Sequence, residues 1–363
     1  MKKACVILKL TVFGFVLFVC TYFFLLFPKE TAKNVENGLV LCIKTVIPSL
    51  FPFMVLSAVF TSSIFCEKLS RMLGKSTRLF FGLSPFCSTA ILISAIGGYP
   101  LGAFTARSLF EKGIISREDF KKLLLFAVLP SPSFSVGAVG SAMLGSKSAG
   151  ALIYFSSLLS SLALGFCSKF IVPGNDTKQQ IYMSDNKGYT ISALISSALE
   201  KSGRAMLFIC FSILFFSAVL AATDYFLPTE TARMICAAIL EVTCGCKRLS
   251  NRVSLPAIAG AVGWGGLCTH FQIVNEVELS GLHTSVFFAF RLLHGALSSL
   301  LCSALLKLFP VANETFAFAP SQQVSFSSGS SLAFSLCLIA MSILLLLGNN
   351  FVINSKKSTD KIT

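Results

Sequence analysis

The chain has 363 residues, 54% of them hydrophobic and 13% charged, with a formal net charge of +14 and a mean hydropathy of +0.79. Apolar runs of about 20 residues in such a composition are those of a multi-spanning membrane protein, and they leave no room for a soluble catalytic domain. The Lys and Arg residues fall between apolar runs rather than on one amphipathic face, which fits cytoplasmic loops and sets nucleic acid aside as a partner.

In chain order, Lys2 and Lys3 precede a first apolar span from Cys5 to Phe27. Cys20-Thr21-Tyr22-Phe23 offers no small-x-small cleavage site, so residues 1–33 read as an uncleaved anchor with its N-terminus inside. A helix over Asn37–Cys66 carries Pro48 and Pro52, which predict a kink, and Lys44 near its start suits a headgroup contact. Glu67 to Arg78 reads as a basic loop.

The next apolar segment is interrupted at Ser94-Ala95-Ile96-Gly97-Gly98-Tyr99-Pro100-Leu101-Gly102-Ala103. Lipid supplies no hydrogen bonds, so backbone freed by such a break must find protein, water or a solute, and the break points to a lined cavity. Basic residues on both sides predict a re-entrant hairpin that enters from the cytoplasm and returns to it. Phe120 to Lys147 repeats the theme around Pro130-Ser131-Pro132-Ser133, and Ser148–Ile171 reads as an unbroken span.

A polar linker, 173–190, separates two halves. The second opens with an interfacial stretch holding Glu200, Lys201 and Arg204, followed by spans at Ala205–Asp224 and Arg233–Cys244 and a basic loop at Lys247–Arg252. Another glycine break, Gly263-Trp264-Gly265-Gly266, runs into Leu267-Cys268-Thr269-His270-Phe271-Gln272. Spans at His283–Leu306 and Ser331–Phe351 complete a set of about eight to ten membrane segments. The intervening loop lacks Lys and Arg while the tail has Lys356, Lys357 and Lys361, which places the C-terminus inside.

The halves look duplicated. Gly38–Phe60 overlays Ala198–Leu220 without gaps, matching Leu39 to Leu199, Phe51 to Phe211 and Ser57-Ala58-Val59 to Ser217-Ala218-Val219, and Gly97-Gly98 pairs with Gly265-Gly266. Both halves order a long helix, basic residues and a glycine break, the pattern of a transporter core with its site where the breaks meet. The predicted architecture is all-α and polytopic, with repeats at 34–172 and 191–310 and a loop, final helix and tail over 311–363.

With these residues in view, the chain resembles the YlbJ-type sporulation integral membrane proteins of the nucleoside-recognition (Gate) domain family. The likeness rests on Gly98-Tyr99-Pro100-Leu101-Gly102-Ala103, Thr105-Ala106-Arg107 and Lys112-Gly113-Ile114-Ile115. Further on it rests on Leu240-Glu241-Val242-Thr243-Cys244-Gly245 and Gly265-Gly266-Leu267-Cys268-Thr269-His270-Phe271-Gln272. Gly97 stands where the family carries serine, and Leu129-Pro130-Ser131-Pro132 where it carries an Asn-rich break. The resemblance implies a role in spore envelope or cortex development and kinship with proteins that gate small solutes, including nucleoside-like ones.

Candidate ligand-binding residues are Gly97, Gly98, Tyr99, Pro100 and Gly102 in the first break, with Glu241, Gly265, Gly266, Thr269, His270 and Gln272 in the second half. Glu241 reads equally as an interfacial partner of a nearby Lys or Arg and as a cavity-facing acid. His270 and Gln272 suit the satisfaction of freed backbone and, compatibly, a sugar or base. Tyr99 and Trp264 suit packing or interface anchoring more than stacking. Arg291 and His294 share one helix face, and snorkelling explains Arg291 more simply than a buried pair with Glu241.

Nothing predicts catalysis, a cofactor or a metal. The three histidines form no His-x-x-x-His pair, Gly-x-Ser-x-Gly and P-loop patterns are absent, and Cys244-Gly245-Cys246 is too close and isolated for zinc. The expected function is passage or recognition of a small polar solute during sporulation, in contact with the bilayer, with a second copy or other sporulation membrane proteins as candidate partners. A structural or assembly protein of the spore envelope is the alternative.

Overall fold

A computed structural model describes residues 2–60, 64–171, 191–250 and 252–311. Met1–Ala317 make one compact unit; Phe318–Thr363 make a second, which lies outside the described residues. The polar linker, most of the loop after Phe309, the last expected span and the basic tail therefore also fall outside them.

Among the described residues every regular element is helical. In order these are α1 (Lys2–Leu26), α2 (Pro28–Leu41), a π-helical turn (Cys42–Val46), α3 (Ile47–Phe60), α4 (Ile64–Phe81), α5 (Cys87–Gly97), α6 (Leu101–Glu111) and α7 (Arg117–Phe126). A π-helix (Ser133–Met143), α8 (Lys147–Ile171), α9 (Ile191–Phe226), α10 (Glu230–Leu240), α11 (Val242–Leu249), α12 (Leu255–Trp264), α13 (Gly266–Ser280) and α14 (Thr284–Leu308) follow. Four stretches among them, 147–171, 192–226, 255–280 and 284–308, are long and apolar enough to cross a bilayer. The chain is an all-α, multi-pass membrane protein.

Three expectations need correction. The basic loop after Glu67 is helical: Lys68, Arg71, Lys75 and Arg78 lie on α4 at spacings of three and four, which puts them on one face. The interfacial stretch around Glu200 is not a separate element, because α9 continues through it for 36 residues. The span drawn from Arg233 to Cys244 is two short helices, α10 and α11, parted at Glu241, whose φ of −141° and ψ of 118° are extended.

Helices α8, α12 and α14 pack through small residues. A methyl group on Gly263 would lie 2.5 Å from Ser298 Oγ, and one on Gly295 would lie 2.9 Å from the Gly260 carbonyl. Ser156, Ser157, Ser160 and Ser161 are buried along α8. Lipid chains are as apolar as leucine, so close backbone approach and hydroxyl contacts drive such helices together. Large side chains face outward instead: Phe155, Leu159 and Phe166 on α8 and Leu292, Leu293 and Leu300 on α14 are exposed, as lipid-facing positions of a bundle would be.

Candidate functional site

Four interrupted helices meet in the core. The first break, between α5 and α6, turns at Gly98 with φ +82° and ψ −175°, backbone that favours glycine. A methyl on Gly98 would lie 2.5 Å from Ser131 N, so this break rests on the one between α7 and the π-helix. The third break, between α12 and α13, has left-handed Gly265 (φ +85°), and a methyl there would reach the Tyr99 ring at 3.6 Å. A methyl on Gly266 would lie 2.8 Å from Val242 N and 3.2 Å from Glu241 Cα, which brings in the fourth break, between α10 and α11.

A cavity of about 530 Å³ lies where the breaks converge. Its polar wall comes from Lys44, Tyr99, Ser131, Ser133, Glu241, Thr243, Thr269 and Gln272, and Ile209 and Ile213 of α9 are among its apolar residues. Thr243, Ser133 and Thr269 sit in the first turns of α11, the π-helix and α13, so three helix N-termini border the space. Such ends carry unsatisfied N–H groups and partial positive charge.

Glu241 is 3% exposed and caps α11. Its Oε1 accepts from the Thr243 N–H at 3.0 Å and its Oε2 from the Cys244 N–H at 2.7 Å. The carboxylate thereby restores two donors released by the break, and still lines the cavity. It does not pair with Arg291.

Arg291 does not snorkel either. It is 1% exposed, and its guanidinium donates to the carbonyls of Val128 and, at 3.3 Å, Leu125. Ser161 Oγ donates to the Phe126 carbonyl at 2.6 Å and Ser94 Oγ to the Ala127 carbonyl at 2.8 Å. The carbonyls of 125 to 128, which a helix end leaves without intrahelical partners, are thus met by side chains of α14, α8 and α5. A cation at a helix C-terminus also complements the helix dipole.

Of the other sequence candidates, Gly97, Gly98, Pro100 and Gly102 at the first break and Gly265 and Gly266 at the third are buried but outside the cavity lining. Gly102 is there for close approach: a methyl on it would lie 2.2 Å from the Ala127 carbonyl oxygen. His270 also lies outside the lining. Its Nε2 donates to the Trp264 carbonyl at 2.8 Å, satisfying backbone freed at Gly265, and its ring meets Trp264, Phe287 and Phe288 edge-on. Trp264 Nε1 donates to the Ile239 carbonyl at 3.1 Å. The structure therefore gathers Tyr99, Glu241, Thr269 and Gln272 around the cavity and gives His270 and Trp264 packing roles.

Sequence reasoning gave Lys44 a headgroup contact, whereas its turn borders the cavity, and it missed the contribution of the π-helix. π-helical turns are rare and cluster at functional sites, but nothing in 133–143 distinguishes one from an α-helix by composition.

One curated protein carries the comparison. The chain is similar to a sporulation membrane protein. The relative is the sporulation integral membrane protein YlbJ of Bacillus subtilis, 23% identical, with 77% of this chain and 78% of the relative covered. No protein-family model matches the chain, and no solved structure matches it.

Proposed function

We propose that this protein recognises a small polar solute inside the membrane during spore formation and passes it across, without performing chemistry on it. The observation that carries the reading is the convergence of four helix breaks on one cavity, lined by Tyr99, Glu241, Thr269 and Gln272. A volume of about 530 Å³ suits a solute of nucleoside or amino-acid size. The Gate-family resemblance adds nucleoside-like solutes to the classes to be tested. Membrane location and a sporulation role agree with the name of the similar Bacillus subtilis protein.

Passage would use the relation between the halves: positive-φ glycines interrupt both, at Gly98 and at Gly265-Gly266, and Arg107 of α6 reaches Glu276 of α13 at 3.2 Å across them. Alternating exposure needs one half to rock against the other about the shared site. The test is thermal stabilisation of the purified protein in detergent by nucleosides, amino acids and metal ions, repeated on Thr269→Val. Stabilisation by one class, reduced in the variant, supports the reading; a flat response across the panel refutes it and leaves the envelope-scaffold alternative.

A further inference from the structure

Glu241 is a buried carboxylate in a wall that is otherwise apolar or neutral, apart from the exposed Lys44. Its two backbone donors use one lone pair on each oxygen, and a carboxylate can accept about four hydrogen bonds. Buried charge without a counter-charge is costly, so the remaining valence calls for a cation.

Of the protein's own cations, Lys44 lines the cavity but no ion pair among the described residues joins it to Glu241, and Arg248, Arg291 and Arg107 are committed elsewhere. Arg248, two turns along α11, clamps Asp224 with both guanidinium nitrogens at 2.5 and 2.6 Å. Arg291 serves the end of α7, and Arg107 serves Glu111 and Glu276. None of the ion pairs among the described residues includes Glu241.

Two further features of the wall suit a cation. The rings of Tyr99 and Phe134 both line the space with centroids 6.3 Å apart, and aromatic faces attract ammonium groups. The Tyr99 hydroxyl is buried without a hydrogen-bond partner among the described residues, which leaves an acceptor for an N–H donor.

Building on the solute-handling reading, we propose that the cavity takes a small organic amine in its cationic form, with the ammonium on the Glu241 carboxylate and the apolar body against Ile209 and Ile213. A metal ion fits less well. The described residues hold no cluster of three His, Cys, Asp or Glu side chains, and a bare sodium ion would leave most of the 530 Å³ unfilled.

The experiment uses the full chain purified in detergent and reads thermal stabilisation by leucinamide, putrescine and ethanolamine, each beside its fully N-acetylated, uncharged counterpart (N,N′-diacetylputrescine for the diamine). Uridine is run as a neutral polar solute, and sodium chloride against potassium chloride. The expected result is stabilisation by at least one amine over its acetylated form, with apparent affinity at least tenfold weaker in Glu241→Gln. The glutamine keeps an acceptor for the cap, and Thr269→Val serves as a second variant should E241Q fold poorly; it is expected to weaken the same amine. Equal binding of amines and acetylated forms overturns the proposal, as does stabilisation by sodium alone. Binding of uridine but no amine also overturns it while leaving the solute-handling reading standing, and silence from every probe overturns both.

Discussion

Replacing Gly98 by alanine isolates the contact on which the convergence depends. The backbone at φ +82° and ψ −175° is a conformation that costs an L-residue about 1–3 kcal/mol. The added methyl would also lie 2.5 Å from Ser131 N and 3.0 Å from its Cα, both backbone atoms, so relief requires one break to move off the other. Overpacking of this kind adds about 1–3 kcal/mol, for a total near 4 kcal/mol. Gly113 supplies the control: its φ is +68°, but a methyl there meets nothing within 4 Å, leaving only the left-handed backbone cost of about 1–2 kcal/mol. At about 2 °C per kcal/mol, Gly98→Ala should lower the unfolding temperature by about 8 °C and Gly113→Ala by about 3 °C. Measurement is by thermal unfolding of both variants in one detergent. Equal losses would refute the claim that the first two breaks are in contact.

Arg291→Met strands the carbonyls of Leu125 and Val128 and should cost about 1–3 kcal/mol for each stranded acceptor, with Arg291→Lys intermediate; a methionine variant as stable as the parent in thermal unfolding would remove the capping role. His270→Phe should lower the unfolding temperature by freeing the Trp264 carbonyl yet leave solute-dependent stabilisation intact, whereas Thr269→Val should do the reverse. Loss of solute response in the His270 variant would move that ring into the binding wall. The Arg107–Glu276 pair, buried at the glutamate and half exposed at the arginine, should show a coupling of about 1 kcal/mol in a cycle of Arg107→Gln, Glu276→Gln and the double variant. A coupling of zero would mean that the contact does not join α6 to α13 energetically.

Glycine and proline made three of the four breaks legible, because they forbid or disfavour helix where the apolar run would otherwise continue. The fourth was hidden: Arg233–Cys244 has neither residue, and the helix parts because the Glu241 carboxylate competes for the N–H groups of Thr243 and Cys244. A lone acid in an apolar run was the available signal. The destination of Arg291 was beyond sequence reading, since its carbonyl partners lie 163 and 166 residues away and backbone acceptors carry no identity. The α4 error was avoidable, because the spacing of Lys68, Arg71, Lys75 and Arg78 is itself a helical period.

The capping of α7 by Ser94, Ser161 and Arg291 sets an order for biogenesis. Ser94 precedes α7 and Ser161 follows within one helix, but Arg291 leaves the ribosome more than 160 residues after Leu125 and Val128. At synthesis rates of roughly 5–20 residues per second, the nascent chain waits roughly 10–30 s with those two acceptors bare. Through that interval those two acceptors must be met by water or by other protein groups, which favours holding the hairpin at the membrane surface until α14 arrives.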